Sequence, residues 1–266
     1  MKFFLYSLPI ILVILSGCSH GNSNDWSAGT WVDLTHDYSE ETLFWPTSST
    51  FHLDTVFVGE TDAGFYYEAY EFCTAEHGGT HLDAPIHFAE NRKTVDELEL
   101  DQLTGYASVI DVTNEVEGDR DYQVQVSDIE RWEEEHGELA EETILLFNTG
   151  MSRFWPDAEQ YLGTSNRGEA ALAELSFPGI HPDTARWLVE NRTIKAVGLD
   201  TPSLDFGQSE LFETHQVLFE ENIPGFENVA NLNLLPATGA YVVALPMKIR
   251  DGSGAPLRIA AHVMQE

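Results

Sequence analysis

One stretch constrains this chain more than any other: Glu76-His77-Gly78-Gly79-Thr80-His81-Leu82-Asp83-Ala84-Pro85-Ile86-His87-Phe88. Three histidines and an aspartate within eleven residues concentrate nitrogen and oxygen donors of the kind that bind Zn²⁺, Mn²⁺ or Fe²⁺. On an extended strand His77 and His81 would share a face yet stand about 13 Å apart at about 3.3 Å per residue, whereas ligands of one ion must nearly touch. The backbone must therefore fold back between them. Gly78 and Gly79 permit this, because glycine takes positive φ and allows close approach. A helix would also bring positions four apart together, but two glycines and Pro85 in the same stretch argue against one. The spacing thus predicts a bent loop or bulge, with His81 and Asp83 alternating as strand neighbours and Pro85 turning the chain so that His87 re-enters the same cavity as an acid/base. A set of structural histidines in a polar loop is the weaker reading, since four ionisable groups gathered without a metal would be desolvated with no compensation.

Around this stretch, short apolar runs alternate with helical patterns. Residues 109–112, 143–147, 194–199 and 241–245 read as strands, several so continuously apolar that both faces are expected to be buried. Residues 51–58 are also strand-like. A helix is expected from Ser127, capped by its own hydroxyl with Glu130 reaching back, to Gly137. Another starts with Pro182 in its first turn and runs to about Asn191. A third, around 210–220, sets Phe212, His215 and Phe219 on one face. This mixture argues for a single α/β domain.

Composition narrows the partners. The chain has 45 Asp plus Glu against 13 Lys plus Arg, a net charge of -32, so nucleic acid and anionic lipid headgroups would be repelled. A hydrophobic content of 42% excludes global disorder. Only Lys2, Lys93, Lys195 and Lys248 are lysines, a pattern expected of a surface that stays hydrated in salty surroundings and equally of an ordinary acidic protein.

The N-terminal segment reads as an address. After Lys2, residues 3–15 form an apolar run shorter than the about 20 residues that span a bilayer, as in a signal peptide. Leu15-Ser16-Gly17-Cys18 resembles the lipobox of bacterial lipoproteins, which makes Cys18 the expected lipidation site. The division expected is residues 1–17 as signal peptide, 18–29 as flexible tether and 30–266 as the functional domain. Ser19 then points to the outer membrane, facing the periplasm of a Gram-negative bacterium, with the membrane touched only through the lipid. Cys73 would be left without a disulfide partner, and a buried strand thiol is a better reading of it than a metal ligand.

The positions His77, Gly79, Thr80, His81, Asp83, Pro85 and His87 resemble the pattern H-x-G-T-H-x-D-x-P-x-H of the metal-dependent cyclase family, whose members include arylformamidases and isatin hydrolases. The likeness extends from Trp31-Val32-Asp33-Leu34-Thr35 through Trp45-Pro46 and Asn148-Thr149-Gly150 to 195–203 and beyond. It implies a swivelling β/β/α fold with a mixed central sheet flanked by helices. It also implies His77, His81 and Asp83 as metal ligands, with Asp83 able to bridge a second ion, and His215 and Glu227 as the later ligands. His87 matches the acid/base and Trp45 a residue that contacts substrate, while Phe65, Tyr66 and Phe88 are candidates to stack on an aryl ring. One or two ions per subunit, Zn or Mn, and a homodimer or tetramer in which a neighbouring subunit lines the site are implied too. The segment 72–77 is nearer the isatin hydrolase branch.

The activity this implies is hydrolysis of the C–N bond of a small aryl amide or lactam, with the metal making water acidic and His87 moving its proton to the leaving nitrogen. Two alternatives stand beside it. One is metal-dependent cyclisation or dehydration of a polyketide-like carbonyl compound; the other is a non-enzymatic lipoprotein that binds metal or solute, against which the intact His87 argues.

Overall fold

The computed structural model describes residues 28–264. The signal peptide, Cys18 and all but the end of the tether lie outside the described residues. In chain order the strands are β1 (Gly29–Asp33), β2 (His52–Glu60), β3 (Tyr66–Cys73), β4 (His81–Asp83), β5 (Thr104–Asp111), β6 (Gln123–Val124), β7 (Thr143–Asn148), β8 (Gly179–Ile180), β9 (Ile194–Leu199), β10 (Gly225–Glu227), β11 (Thr238–Pro246) and β12 (Gly254–Met264). The α-helices are α1 (Thr113–Gly118), α2 (Val126–His136), α3 (Ala158–Leu162), α4 (Pro182–Asn191) and α5 (Glu213–Glu220).

A side-chain period of two divides the apolar residues of the main sheet between two cores. Ile144 and Leu146 of β7 join Val109, Ala196, Val242 and Ile259 in one cluster, while Leu145 and Phe147 join Ile129, Leu188 and Leu218 of α2, α4 and α5 in the other. Both faces of β7 are therefore buried, as its unbroken apolar run predicts. Strand order is β1-β12-β11-β5-β7-β9-β10-β4, and β4 also pairs with β12. The mixed sheet that the family resemblance implies is present, and it closes on itself into a seven-strand barrel with β1 lying outside on β12. The interior is narrow: a Cβ on Gly198 would fall 2.9 Å from Leu146 and 3.0 Å from Phe226.

Three expectations are corrected. α2 begins one residue early, because Gln125 and Asp128 form its capping box and Asp128 accepts the Gln125 N–H at 2.8 Å; Ser127 is already inside the helix. α5 begins at Glu213, with Phe212 ahead of it in a left-handed conformation (φ 51°) instead of on the helical face. Cys73 is free and exposed, because the hairpin β2–β3 stands apart: each strand pairs only with the other among the described residues. No helix among the described residues is long and apolar enough to cross a membrane.

Candidate active site

The ligand stretch folds back where its glycines stand. Gly78 has φ 151° and Gly79 φ 57°, conformations that L side chains avoid. Space forbids a side chain as well, since a Cβ on Gly78 would lie 2.0 Å from the Phe44 ring and one on Gly79 2.7 Å from that of Tyr38. Tyr38 clamps the bend by donating its hydroxyl to the carbonyls of Gly78 (2.5 Å) and Thr80 (3.1 Å). Beyond the bend, β4 is wedged between β10 and β12, with His81 opposite Glu227 and Asp83 opposite Gly225. Alternation sends Leu82 into the barrel core and leaves His81 and Asp83 on the outer side, under α5. A 3₁₀ turn, Pro85–His87, then brings His87 back. Its ring stacks on that of His77 at 3.8 Å and 17°.

Four residues meet around Asp83. His77 Nδ1 lies 2.6 Å and His81 Nε2 3.1 Å from Asp83 Oδ1, and His215 Nε2 is 3.3 Å from Oδ2. Glu227 closes the ring, 3.3 Å from His81 Nε2 and 3.1 Å from His215 Nε2. All but His77 are buried. Ligand atoms of two groups, His77-Asp83-His87 and His81-Asp83-Glu227, lie within 4.8 Å of one another, so Asp83 is common to both.

Each imidazole has one nitrogen engaged from outside the cluster. His81 Nδ1 donates to the Gly79 carbonyl at 3.0 Å, and His215 Nδ1 meets Asp205 Oδ2 at 2.6 Å. His77 Nε2 meets the Ser253 hydroxyl at 3.0 Å, which in turn donates to Glu76 at 2.8 Å. Every ring thus has its other nitrogen directed at Asp83, the arrangement that fixed imidazole ligands require. The donor set of imidazoles and carboxylates fits a divalent cation.

Charge follows the same geometry. Burial disfavours the imidazolium of His81, yet Asp83 and Glu227 outweigh it and raise its pKa to about 10; His215 is raised well above the usual histidine range, where Asp205, Asp83 and Glu227 overcome burial. Burial works to raise the carboxyl of Asp83, but His77 and His81 hold it well below the usual carboxylate range. A cation entering here displaces those protons. His87 is the opposite case: burial, only partly offset by Asp83, lowers its pKa to about 4. It is neutral near neutral pH.

These groups open onto a cavity of about 250 Å³ whose apolar lining includes Leu43, Phe44, Trp45, Phe88, Leu162 and Phe212. Phe88 sits 4.6 Å from the His215 ring, and Trp45 packs edge-on against Phe212 at 6.0 Å. The expected Trp45 and Phe88 are therefore brought to the cavity. Phe65 and Tyr66 are not: at the tip of the hairpin they are 57% and 65% exposed and do not line the cavity of their own chain. The separation of β2–β3 from the barrel is the physical reason. Residues that sequence reasoning missed are Asp205, Ser253, Glu76 in its bonding role, and Phe212 as a wall. Asp205 and Phe212 stand ten and three residues before His215, and no local spacing marks either.

The comparisons with known proteins agree with this geometry. An isatin hydrolase of Roseibium aggregatum is 31% identical over 71% of this chain and 72% of its own length. A kynurenine formamidase of Bacillus cereus is 28% identical over 86% of this chain and 95% of its own. Among solved structures, isatin hydrolase A from Labrenzia aggregata bound to benzyl benzoate superposes with a TM-score of 0.81 at 29% identity, covering 90% of this chain and 95% of that one. With the family model described as putative cyclase matching residues 32–206, the chain belongs to the cyclase family.

Proposed function

We propose that this protein is a metal-dependent amidohydrolase that cleaves the C–N bond of a small aryl amide or lactam of the isatin or N-formylkynurenine type. The observation that carries the reading is a neutral His87 stacked on a ligand histidine, at the mouth of an aromatic cavity whose floor is the Asp83 cluster. His77, His81, Asp83, His215 and Glu227 would hold one or two ions, Zn or Mn, since the two oxygens of Asp83 meet three histidines. When bound, such an ion supplies Lewis acidity, which polarises a carbonyl and makes water acidic near neutral pH. His87 accepts the proton of the attacking water and returns it to the leaving nitrogen, so the ring ends the cycle neutral. Trp45 and Phe88 hold the aryl ring, and Leu43 and Leu162 keep bulk water from its edge.

The test is metal analysis of the purified protein, coupled to hydrolysis of isatin and N-formylkynurenine. The expected result is isatinate, heavier than isatin by one water, and kynurenine plus formate from N-formylkynurenine, both abolished by chelator, with His87→Ala retaining metal while kcat falls by about 10²–10⁴. A product lighter by one water would assign dehydrative cyclisation instead. No turnover, or a His87→Ala variant equal to wild type, would overturn the proposal.

The same reading extends to the rest of the molecule. The helices α2, α4 and α5, packed on the outer face of β7 and β9, support the layered swivelling β/β/α arrangement. Residues 30–266 are proposed as one catalytic domain behind a signal peptide (1–17) and tether (18–29). The chain would be anchored by a lipid on Cys18 in the outer membrane, facing the periplasm, and would act as a homo-oligomer joined through the β2–β3 hairpin.

A further inference from the structure

Phe212 is not a metal ligand, yet its backbone is held where a side chain is disfavoured. At φ 51° and ψ 44° it occupies the left-handed region, which non-glycine residues adopt at a cost and mostly where function or packing demands it. The surrounding bonds say what is gained. The Phe212 N–H donates to Ser209 Oγ at 3.1 Å, and that hydroxyl donates to Asp205 Oδ1 at 3.3 Å. Asp205 is the carboxylate that fixes the ring of His215, so one side chain sets both the ligand and Phe212. The ring then faces Phe88 at 5.3 Å and Trp45 at 6.0 Å across the cavity. An ordinary helical start would direct it elsewhere.

Charge around the same cavity is one-sided. Among the described residues lining it there is no lysine or arginine, and none occurs anywhere between residues 3 and 91, which include the Trp45 turn, the hairpin and the ligand stretch. Arg167 approaches from behind the Trp45 turn, but its guanidinium donates to the carbonyls of Phe44 and Ser48. A substrate carrying its own carboxylate away from the scissile bond would meet aromatic faces and no counter-charge, an uncompensated desolvation. The volume of about 250 Å³ also lies below the about 300–1,000 Å³ of ordinary ligand pockets.

Resting on the hydrolase reading above, we propose that Phe212 is a specificity-determining residue: with Trp45 and Phe88 it forms an aromatic slot that selects compact, uncharged planar lactams and excludes amides bearing an amino-acid side chain. Two measurements test this on the purified full-length protein. The first is the ratio of kcat/KM for isatin to that for N-formylkynurenine. It is expected to exceed about 100 in the wild type, to fall at least tenfold in Phe212→Ala through a higher KM for isatin, and to be restored by Phe212→Tyr, which keeps the ring. The second is calorimetric binding of isatin and of kynurenine in the slow His87→Ala background, with and without Phe212→Ala, where turnover does not mask binding. Isatin is expected to bind at least tenfold tighter than kynurenine, and Phe212→Ala to remove that difference. If wild type prefers N-formylkynurenine, or if Phe212→Ala weakens both ligands equally, the slot is overturned while hydrolysis stands. If neither compound is turned over but isatin binding still depends on Phe212, the hydrolase reading fails and the slot survives. A Phe212→Ala chain that does not fold leaves the wild-type ratio and Phe212→Tyr to decide, and a ratio near one overturns the proposal.

Discussion

At Asp205 four donors converge on one buried carboxylate: the N–H groups of Thr214 and His215, the Ser209 hydroxyl and the His215 ring. Because it orients a ligand from behind, Asp205→Asn is expected to weaken metal affinity by about 10–100-fold with little change in the fold. Competition against a chelating dye measures it, and an unchanged affinity would refute the role. Residues such as this were hidden in the sequence for a physical reason. His77, His81, Asp83 and His87 announce themselves because one local bend brings them together, so their spacing carries the information. Asp205, Ser253 and Phe212 reach the site through contacts that depend on how distant strands and helices dock. His215 and Glu227 were reachable only through the family resemblance, since neither a helix-face histidine nor a loop carboxylate is informative alone.

Among the elements, the strands β7 and β9 were legible almost to the residue, because burial on both faces leaves an unbroken apolar run with sharp ends. Of the hairpin β2–β3, the first strand was legible as residues 51–58, but neither its partner strand nor its placement was. A two-stranded hairpin is marginal by itself, yet here Leu53, Val56, Val58 and Phe72 are all exposed, and at its base Phe72 stacks on Phe51, which packs on Tyr38, the clamp of the Gly78–Thr80 bend. A second copy of this acidic chain, as proposed above, would cover such a surface through apolar contact, since its charges repel. Light scattering is expected to give a mass at least twice that of one chain for the wild type, and Phe72→Asp combined with Val58→Asp to give the monomer. A monomeric wild type would exclude the assembly.

For the molecule as a whole, 45 carboxylates face 13 basic side chains, and repulsion among them opposes the compact state. Screening lengths shrink from about 10 Å at 0.1 M salt to about 3 Å at 1 M. The thermal midpoint is therefore expected to rise by several degrees across that range of sodium chloride, and a flat or falling midpoint would show that the charge is already compensated. Some of the basic residues are paired with carboxylates, as in Arg192–Glu133 and Arg131–Glu115. Closure of the barrel depends on one of its two shortest staves, the three residues of β4, held by β10 on one side and β12 on the other. Two of those three residues, His81 and Asp83, are also candidate ligands. A cation held there would be a clasp as well as a catalyst. In chelator, amide hydrogen exchange is expected to quicken at 81–83, 225–227 and 254–256 while β5, β7 and β9 stay protected, so that the enzyme would loosen along one seam before it unfolds.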